Sequence, residues 1–224
     1  MGILKTITEE YFGNIIREED EINIDGLDVE IVSFTDNNGK KHGRGYKPKD
    51  RDTLKELLER MIKVRGDEGD FNDIDTSDIT SMQFLFNYNS TFNGDITGWN
   101  VSSVRYMNYM FSNASSFNQP IGNWEFPNVQ NMRGMFCDAI SFNQDISKWK
   151  FPNVENMIGM FWDASSFNQP ISDWEFPNVT DMSYMFYGAA SFDQDLSKWD
   201  LKGKEKDKIF DGCPIKDEYK PKMK

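Results

Sequence analysis

The chain has few of the residues from which reactive sites are built. Its 224 residues include two cysteines, Cys137 and Cys213, and a single histidine, His42. Two cysteines exclude a disulfide framework. One histidine argues against histidine-based zinc sites and against Ser–His or Cys–His catalysis. We therefore expect a protein that is not an enzyme and that uses no metal and no cofactor.

Long apolar runs and an excess of basic residues are also missing. No stretch of about 18 apolar residues occurs, so the sequence predicts no membrane-spanning helix. Asp and Glu number 37 against 25 Lys and Arg, which gives a net charge of -12. A surface of that sign repels the phosphates of nucleic acids. We expect neither nucleic-acid binding nor direct insertion into a membrane.

What the chain does contain is a repeating pattern of large apolar side chains. Phe (18), Met (12) and Trp (6) are frequent, although only 38% of the residues are hydrophobic. Trp recurs every 25 residues from position 99 to 199, Met from 82 to 182, and Phe both from 86 to 186 and from 92 to 192. Self-similarity at a fixed period of this size is typical of repeat proteins.

The repeat divides the chain into four parts. Residues 1–49 do not repeat, and the turn signals Asp25-Gly26 and Asn37-Asn38-Gly39 predict a hairpin there. Residues 50–69 are predicted to form a capping helix with one apolar face. Residues 70–201 hold about five units. Residues 202–224 are predicted to form a degenerate C-terminal cap and a basic tail, because terminal repeats have to cover a core that would otherwise meet water.

Each unit is predicted to contain one strand and one short helix. In the unit that begins at Asp145, the alternation around Trp149 is typical of a half-buried strand, which Pro152 ends. Apolar residues at helical spacing follow over residues 154–161. The predicted fold is an α/β solenoid. It would be a leucine-rich-repeat-like, right-handed stack with one short parallel strand and one short helix per unit, and a small α+β cap at its N-terminus.

Two columns of the repeat leave alternatives open. The tryptophans are expected in the core, but exposed Trp edges would instead favour carbohydrate binding. The asparagine column runs from Asn93 to Asn168, with Asp193 after it. We expect these side chains to bond backbone groups at a turn. The alternative is a calcium ladder completed by the aspartates at positions 95, 145 and 195.

The outward positions beside the tryptophans form the candidate binding face. Side chains that flank a buried residue on a strand point to solvent. Opposite charges in neighbouring units are expected to form a ladder of ion pairs that fixes the register. The residues predicted to contact a partner are Asn123, Glu125, Lys148, Lys150, Asp173, Glu175 and Lys198.

The repeat resembles a known family. The unit SFNQDISKWKFPNVENMIGMF at 141–161 follows the pattern FNQ-D/P-I-x-x-W-x-F/V-x-N-V-x-x-M-x-x-M-F. It is similar to the repeats of the BspA-like leucine-rich-repeat surface proteins, also described as the Mycoplasma-type lipoprotein repeat. The resemblance covers about residues 70–200 in five copies. It implies a bacterial surface or secreted protein used in adhesion or protein–protein contact, and it supplies no catalytic residue.

Residues and resemblance together predict a non-catalytic repeat scaffold for protein–protein interaction or adhesion at a bacterial surface. The expected partner is a protein, for example a host or extracellular-matrix protein. The alternatives are a carbohydrate-binding module and a structural fragment of a longer surface array. The resemblance implies a location at the cell surface or outside the cell. Because no signal peptide or lipid-accepting cysteine opens the chain, a cytoplasmic protein or a trimmed form is the alternative.

Overall fold

Regular secondary structure in the computed structural model, which describes residues 22–222, is confined to the two ends of the chain. Strand β1 spans Val29–Thr35, strand β2 spans Lys41–Pro48 and helix α1 spans Arg51–Arg65. A single 3₁₀ turn, Asp217–Tyr219, lies near the C-terminus. β1 and β2 form a two-stranded antiparallel sheet. The first 21 residues of the predicted segment 1–49, and residues 223–224 of the predicted tail, lie outside the described residues.

The predicted α/β solenoid is wrong. Within residues 70–201 the structure has turns and single bridging residues, and no unit contains a strand or an α-helix. The leucine-rich-repeat-like pair of strand and helix is therefore absent from these units. The physical reason is backbone conformation. Tyr109 (φ 56°) and Asn113 (φ 59°) are left-handed, as are their equivalents in the other units, and a right-handed helix cannot contain such residues.

Successive units nevertheless lie side by side in register. A line of single parallel bridges passes through one position of every unit, from Ser81 to Glu205. In addition, four alternate N–H groups of each unit donate to carbonyl groups of the next unit. In one unit the donors are Met107, Tyr109, Phe111 and Asn113, with N···O distances of 2.8–2.9 Å. All four N–H groups point towards the C-terminal end of the row of units.

The core consists of the aromatic and methionine columns. The five tryptophans of the 25-residue column are at most 4% exposed. Phenylalanine rings of neighbouring units stack, as Phe111 does on Phe136 with the ring centroids 5.5 Å apart. Burying one such side chain contributes roughly 1.5–3 kcal/mol. The prediction that these columns form the core is confirmed, although the backbone around them is not the one predicted.

The hairpin and α1 cover the N-terminal end of the row. Tyr46 of β2 forms a parallel bridge with Ile74. Arg65, at the end of α1, binds Asp73 through two N–H···O bonds of 2.7 Å. The apolar face of the helix, which includes Leu58, is buried. Among the helices of the described residues, none is long and apolar enough to span a membrane.

At the other end, residues 201–219 continue the packing. Phe210 stacks on Phe186 with the ring centroids 5.9 Å apart. The N–H group of Leu196 donates to the carbonyl of Tyr219 at 2.8 Å. The last unit is therefore held by backbone bonds and by ring stacking, as the earlier units are.

Candidate binding surfaces

The predicted binding residues lie on the turn that carries each tryptophan. In every unit the Trp N–H donates to the carbonyl three residues earlier, as Trp149 does to Ile146 at 3.1 Å. Both ends of this turn are buried, so its central residues project outward. The residue after Trp149 is also exposed, because it lies between that ring and the buried Phe151. We call the seven predicted residues the loop face. All are exposed: Asn123, Glu125, Lys148, Lys150, Asp173, Glu175 and Lys198.

The tryptophans fasten these turns to the preceding unit. The indole N–H of Trp149 donates to the carbonyl of Ile121 at 3.2 Å, and Trp99, Trp174 and Trp199 make the equivalent bond. The indole nitrogen of Trp124 is buried without a partner in the described residues. Because these rings are buried, the column presents no ring edge on which a sugar could stack.

The charged members of the loop face form no ion pairs with other described residues. Their charged groups do not come within 4.0 Å of an opposite charge in residues 22–222. The predicted ladder of ion pairs is therefore not formed, and exposed pairs of this kind would contribute little in any case. Lys148 does act at a distance. The pKa of Asp145 is lowered mainly by hydrogen bonds from Ser147, and the charge of Lys148 adds to that effect.

Asn123 differs from the other members because it holds the N-terminal hairpin. Its side-chain amide donates to the side-chain oxygen of Asn38 at 2.8 Å and to the carbonyl of Thr97 at 3.0 Å. Close by, the buried carboxylate of Asp36 bonds His42 at 2.9 Å. Burial alone would raise the pKa of Asp36, but hydrogen bonds from His42 and from two backbone N–H groups lower it. This corner of the loop face is therefore part of the scaffold.

The asparagine column contributes to the register that the charges were expected to fix. The side-chain oxygen of Asn143 accepts the N–H of Asn168 and the amide of Gln169, both at 2.9 Å. Asn93, Asn118 and Asn168 also accept the backbone N–H one unit later. The prediction that this column bonds backbone groups is confirmed. Among residues 22–222 no cluster of three or more metal-ligating residues forms, so the calcium alternative has no site in that part of the chain.

A second, partly exposed surface of aromatic residues was missed by the sequence analysis. Phe84, 39% exposed, stacks on Tyr109 with the ring centroids 5.2 Å apart. Further along, Trp162 stacks on Tyr184, also at 5.2 Å, and Tyr187 lies beside them. We call these five residues the aromatic row. It runs along the segment that contains the left-handed residues.

Two glycines divide the aromatic row. Phe84, Tyr109 and Tyr184 share one column of the repeat with Gly134 and Gly159, and all five have φ between 56° and 58°. A Cβ atom at Gly134 would overlap the ring of Tyr109. The sequence did contain a signal for this surface, because glycine occurs twice in a column whose other members are aromatic. It indicates a left-handed backbone, which turns the aromatic members of the column outward.

The repeats also place the chain among known proteins. Neither a curated protein nor a solved structure matches it. The family model described as "Mycoplasma protein of unknown function, DUF285" matches residues 54–164 and residues 126–218. Together the two matches span most of α1 and the repeat units, well over half of the chain. The chain therefore belongs to the family described as Mycoplasma protein of unknown function, DUF285.

Proposed function

We propose that the chain is a non-catalytic scaffold for protein–protein interaction or adhesion at a bacterial surface. The observation that carries the proposal is the loop face. Six charged side chains are exposed on neighbouring turns, and none of them forms an ion pair with a residue of 22–222. Charges without an intramolecular partner are available to steer and orient another molecule.

The pattern of variation supports a binding role. Buried positions repeat from unit to unit, whereas the exposed turn position just before the tryptophan reads Asn123, Lys148, Asp173 and Lys198. A fixed backbone with changing exposed residues is how repeat proteins present a specific surface. A shallow groove of about 140 Å³ lies beside Lys198 at the end of this face and adds a concave contact area.

The family and the resemblance support the location. The chain belongs to a Mycoplasma family, and its repeat resembles that of the BspA-like surface proteins. No helix that could span a membrane occurs in the described residues. From the family and the resemblance we propose a location at the cell surface or outside the cell.

The mixed charge of the loop face favours a protein partner. Lys148, Lys150 and Lys198 are interspersed with Glu125, Asp173 and Glu175. A polymer of one charge would be repelled by half of these groups, whereas a protein surface can carry both signs in matching positions. The partner class we propose is an extracellular-matrix or other host protein with a mixed-charge surface.

The test is binding of the full chain to immobilised extracellular-matrix proteins, with neutral polysaccharides in parallel, at low and at high salt. We expect saturable binding to a protein that weakens as salt rises. The double variant Lys148→Ala/Glu175→Ala should bind about tenfold more weakly, which corresponds to a loss of about 1.4 kcal/mol in binding free energy. The control variant Lys41→Ala/Glu68→Ala, which removes the same two charges outside this face, should bind normally. Binding to no protein, or equal loss in both variants, would contradict the proposal.

A second candidate is carbohydrate binding, which the exposed ring of Phe84 in the aromatic row favours. Phe84 ends the row with one face free of a stacked ring among the described residues, and aromatic faces stack on sugar rings. The polysaccharide arm of the same experiment addresses this candidate. Binding that Phe84→Ala abolishes and that Lys148→Ala/Glu175→Ala leaves unchanged would place carbohydrate binding on this row in preference to protein binding on the loop face.

A further inference from the structure

The C-terminal end of the row of units presents backbone donors that have no acceptor. In the last complete unit the N–H groups of Met182, Tyr184, Phe186 and Gly188 donate to carbonyls one unit later at 2.8–2.9 Å. The equivalent positions in the following unit are Lys206, Lys208, Phe210 and Gly212. Within residues 22–222 none of these four N–H groups has an acceptor. We call these four residues the C-terminal edge.

The C-terminal edge is partly open to solvent. Lys208 and Gly212 are exposed, Lys206 is half-buried and Phe210 is buried. The segment that follows covers a different part of the last unit, where it bonds Leu196 and Asp193. The four donors therefore form an edge like that of an unpaired strand, and such edges are templates for pairing with another chain.

The polarity of this edge indicates the charge of its occupant. In an ordinary sheet N–H and C=O groups alternate along an edge, so the net dipole is small. Here the four alternate peptide groups of each unit all point the same way, so partial positive charge collects at the C-terminal edge. Two of the four edge residues are lysines and none is acidic, although Asp207 and Asp211 lie between them. The polarity of the peptide groups and the two ammonium groups favour an acidic occupant.

We propose that the C-terminal edge binds an extended, acidic peptide segment of another protein. Backbone carbonyls of the peptide accept the four N–H groups, and its carboxylates lie near the ammonium groups of Lys206 and Lys208. This is recognition by strand addition, in which main-chain bonds supply affinity and side chains supply specificity. The inference goes beyond the proposed function, because the edge shares no residue with the loop face.

A second copy of the chain fits this edge less well than a peptide does. The carbonyls that would match it, those of Leu85 and Asn87, have no partner in the described residues and lie at the N-terminal end of the row. There, however, α1 stands alongside, and a groove of about 300 Å³ separates its residues Leu58 and Ile62 from these carbonyls. A whole unit would collide with the helix.

The first experiment measures amide hydrogen exchange by NMR on the full chain. The donors of the C-terminal edge should exchange fast, and the equivalent donors Met182, Tyr184, Phe186 and Gly188 are matched internal controls that should be protected. A peptide of about ten residues with alternating Glu and Val, long enough to span the four donors, should slow exchange at the edge at least about tenfold. The same peptide with Lys in place of Glu, or with Pro at alternate positions, should not.

Variants test the charge component with the same acidic peptide. The double variant Lys206→Glu/Lys208→Glu should raise the Kd of the peptide about fivefold or more, because two exposed charge contacts are lost. The control Lys41→Glu/Lys63→Glu makes the same charge change at the other end of the molecule and should leave the Kd unchanged. Equal effects of the two double variants would overturn the charge argument.

Three exchange results would overturn the proposal. One is protection of the edge amides in the free chain equal to that of the controls. Another is equal protection by the acidic and the lysine peptides. The third is protection that grows with protein concentration alone, which would identify a second copy as the occupant. Loss of the loop face through Lys148→Ala/Glu175→Ala should not affect edge protection, so failure of this proposal and failure of the proposed function are distinguishable.

Discussion

Replacing Gly134 by alanine is expected to destabilise the protein more than the same change at Gly159. Both glycines have φ of 58°, so either alanine costs about 1 kcal/mol because an L side chain is forced into the left-handed region. The two sites differ in what the added methyl group meets. At Gly134 it overlaps the ring of Tyr109, whereas at Gly159 the nearest atom, Cε3 of Trp162, is 3.3 Å away.

The additional cost at Gly134 comes from the contacts that Tyr109 loses when its ring moves. That ring stacks on Phe84 at a centroid distance of 5.2 Å, and its hydroxyl accepts a 2.7 Å hydrogen bond from Arg133. A stacked pair contributes about 0.5–1.5 kcal/mol, and a hydrogen bond contributes about 0.5–1.5 kcal/mol. We expect a loss of about 1 kcal/mol for Gly159→Ala and of about 2–4 kcal/mol for Gly134→Ala.

Urea denaturation monitored by tryptophan fluorescence measures the two losses. In a chain of this length 1 kcal/mol lowers Tm by about 2–4 °C, so thermal unfolding gives an independent value. Equal losses in the two variants would refute the reasoning. The background variant Tyr109→Ala sharpens the test, because Gly134→Ala should cost about 1 kcal/mol once the ring is gone. An undiminished cost in that background would also refute it.

Three further predictions concern single side chains. Asn143→Ala should lower the free energy of unfolding by about 1–2 kcal/mol, and Asn143→Asp by less, since Asp keeps the acceptor oxygen. Burial raises the pKa of the Cys137 thiol from 9.0 to about 12. Iodoacetamide at pH 8 should therefore alkylate it about a thousandfold more slowly than an unfolded control, the factor by which the thiolate fraction falls. Because the thiol ionises at lower pH in the unfolded chain, the free energy of unfolding should fall as the pH rises above about 9. Acrylamide should quench chiefly the half-buried Trp162, so that Trp162→Phe removes most of the quenchable emission; unchanged quenching in that variant would count against the buried column.

The core could be predicted from the sequence, but the backbone that builds it could not. A period of 25 residues in Trp, Met and Phe reports burial directly, because identical large side chains pack on one another in neighbouring units. The spacing of Val154, Met157 and Met160 is compatible both with a helix and with a series of turns. What decides between them is the left-handed residue at Gly159 and its equivalents, and a tyrosine occupies that column twice, which conceals the conformation.

At the candidate sites, too, the sequence predicts some features and not others. The exposure of Lys148 and Glu175 follows from their position beside a buried tryptophan, which the sequence displays. The absence of ion pairs does not follow, because it depends on how the side chains leave the tip of a turn rather than on the spacing of units. The stacking of Trp162 on Tyr184 could not be predicted, since the two residues belong to different columns and meet only once the left-handed residues have turned the chain.

The uniform bonding between units has a consequence for how such genes change. Each of the four donors in one unit meets the same kind of acceptor one unit later. Insertion or deletion of a whole unit leaves every remaining donor matched. The last unit is one residue shorter than the others, and its carbonyls still accept all four N–H groups of the unit before it. Residues 114–129 and 164–179 differ at only two positions, 122/172 and 123/173. Unequal recombination between segments this similar lengthens or shortens the row in steps that the fold accepts.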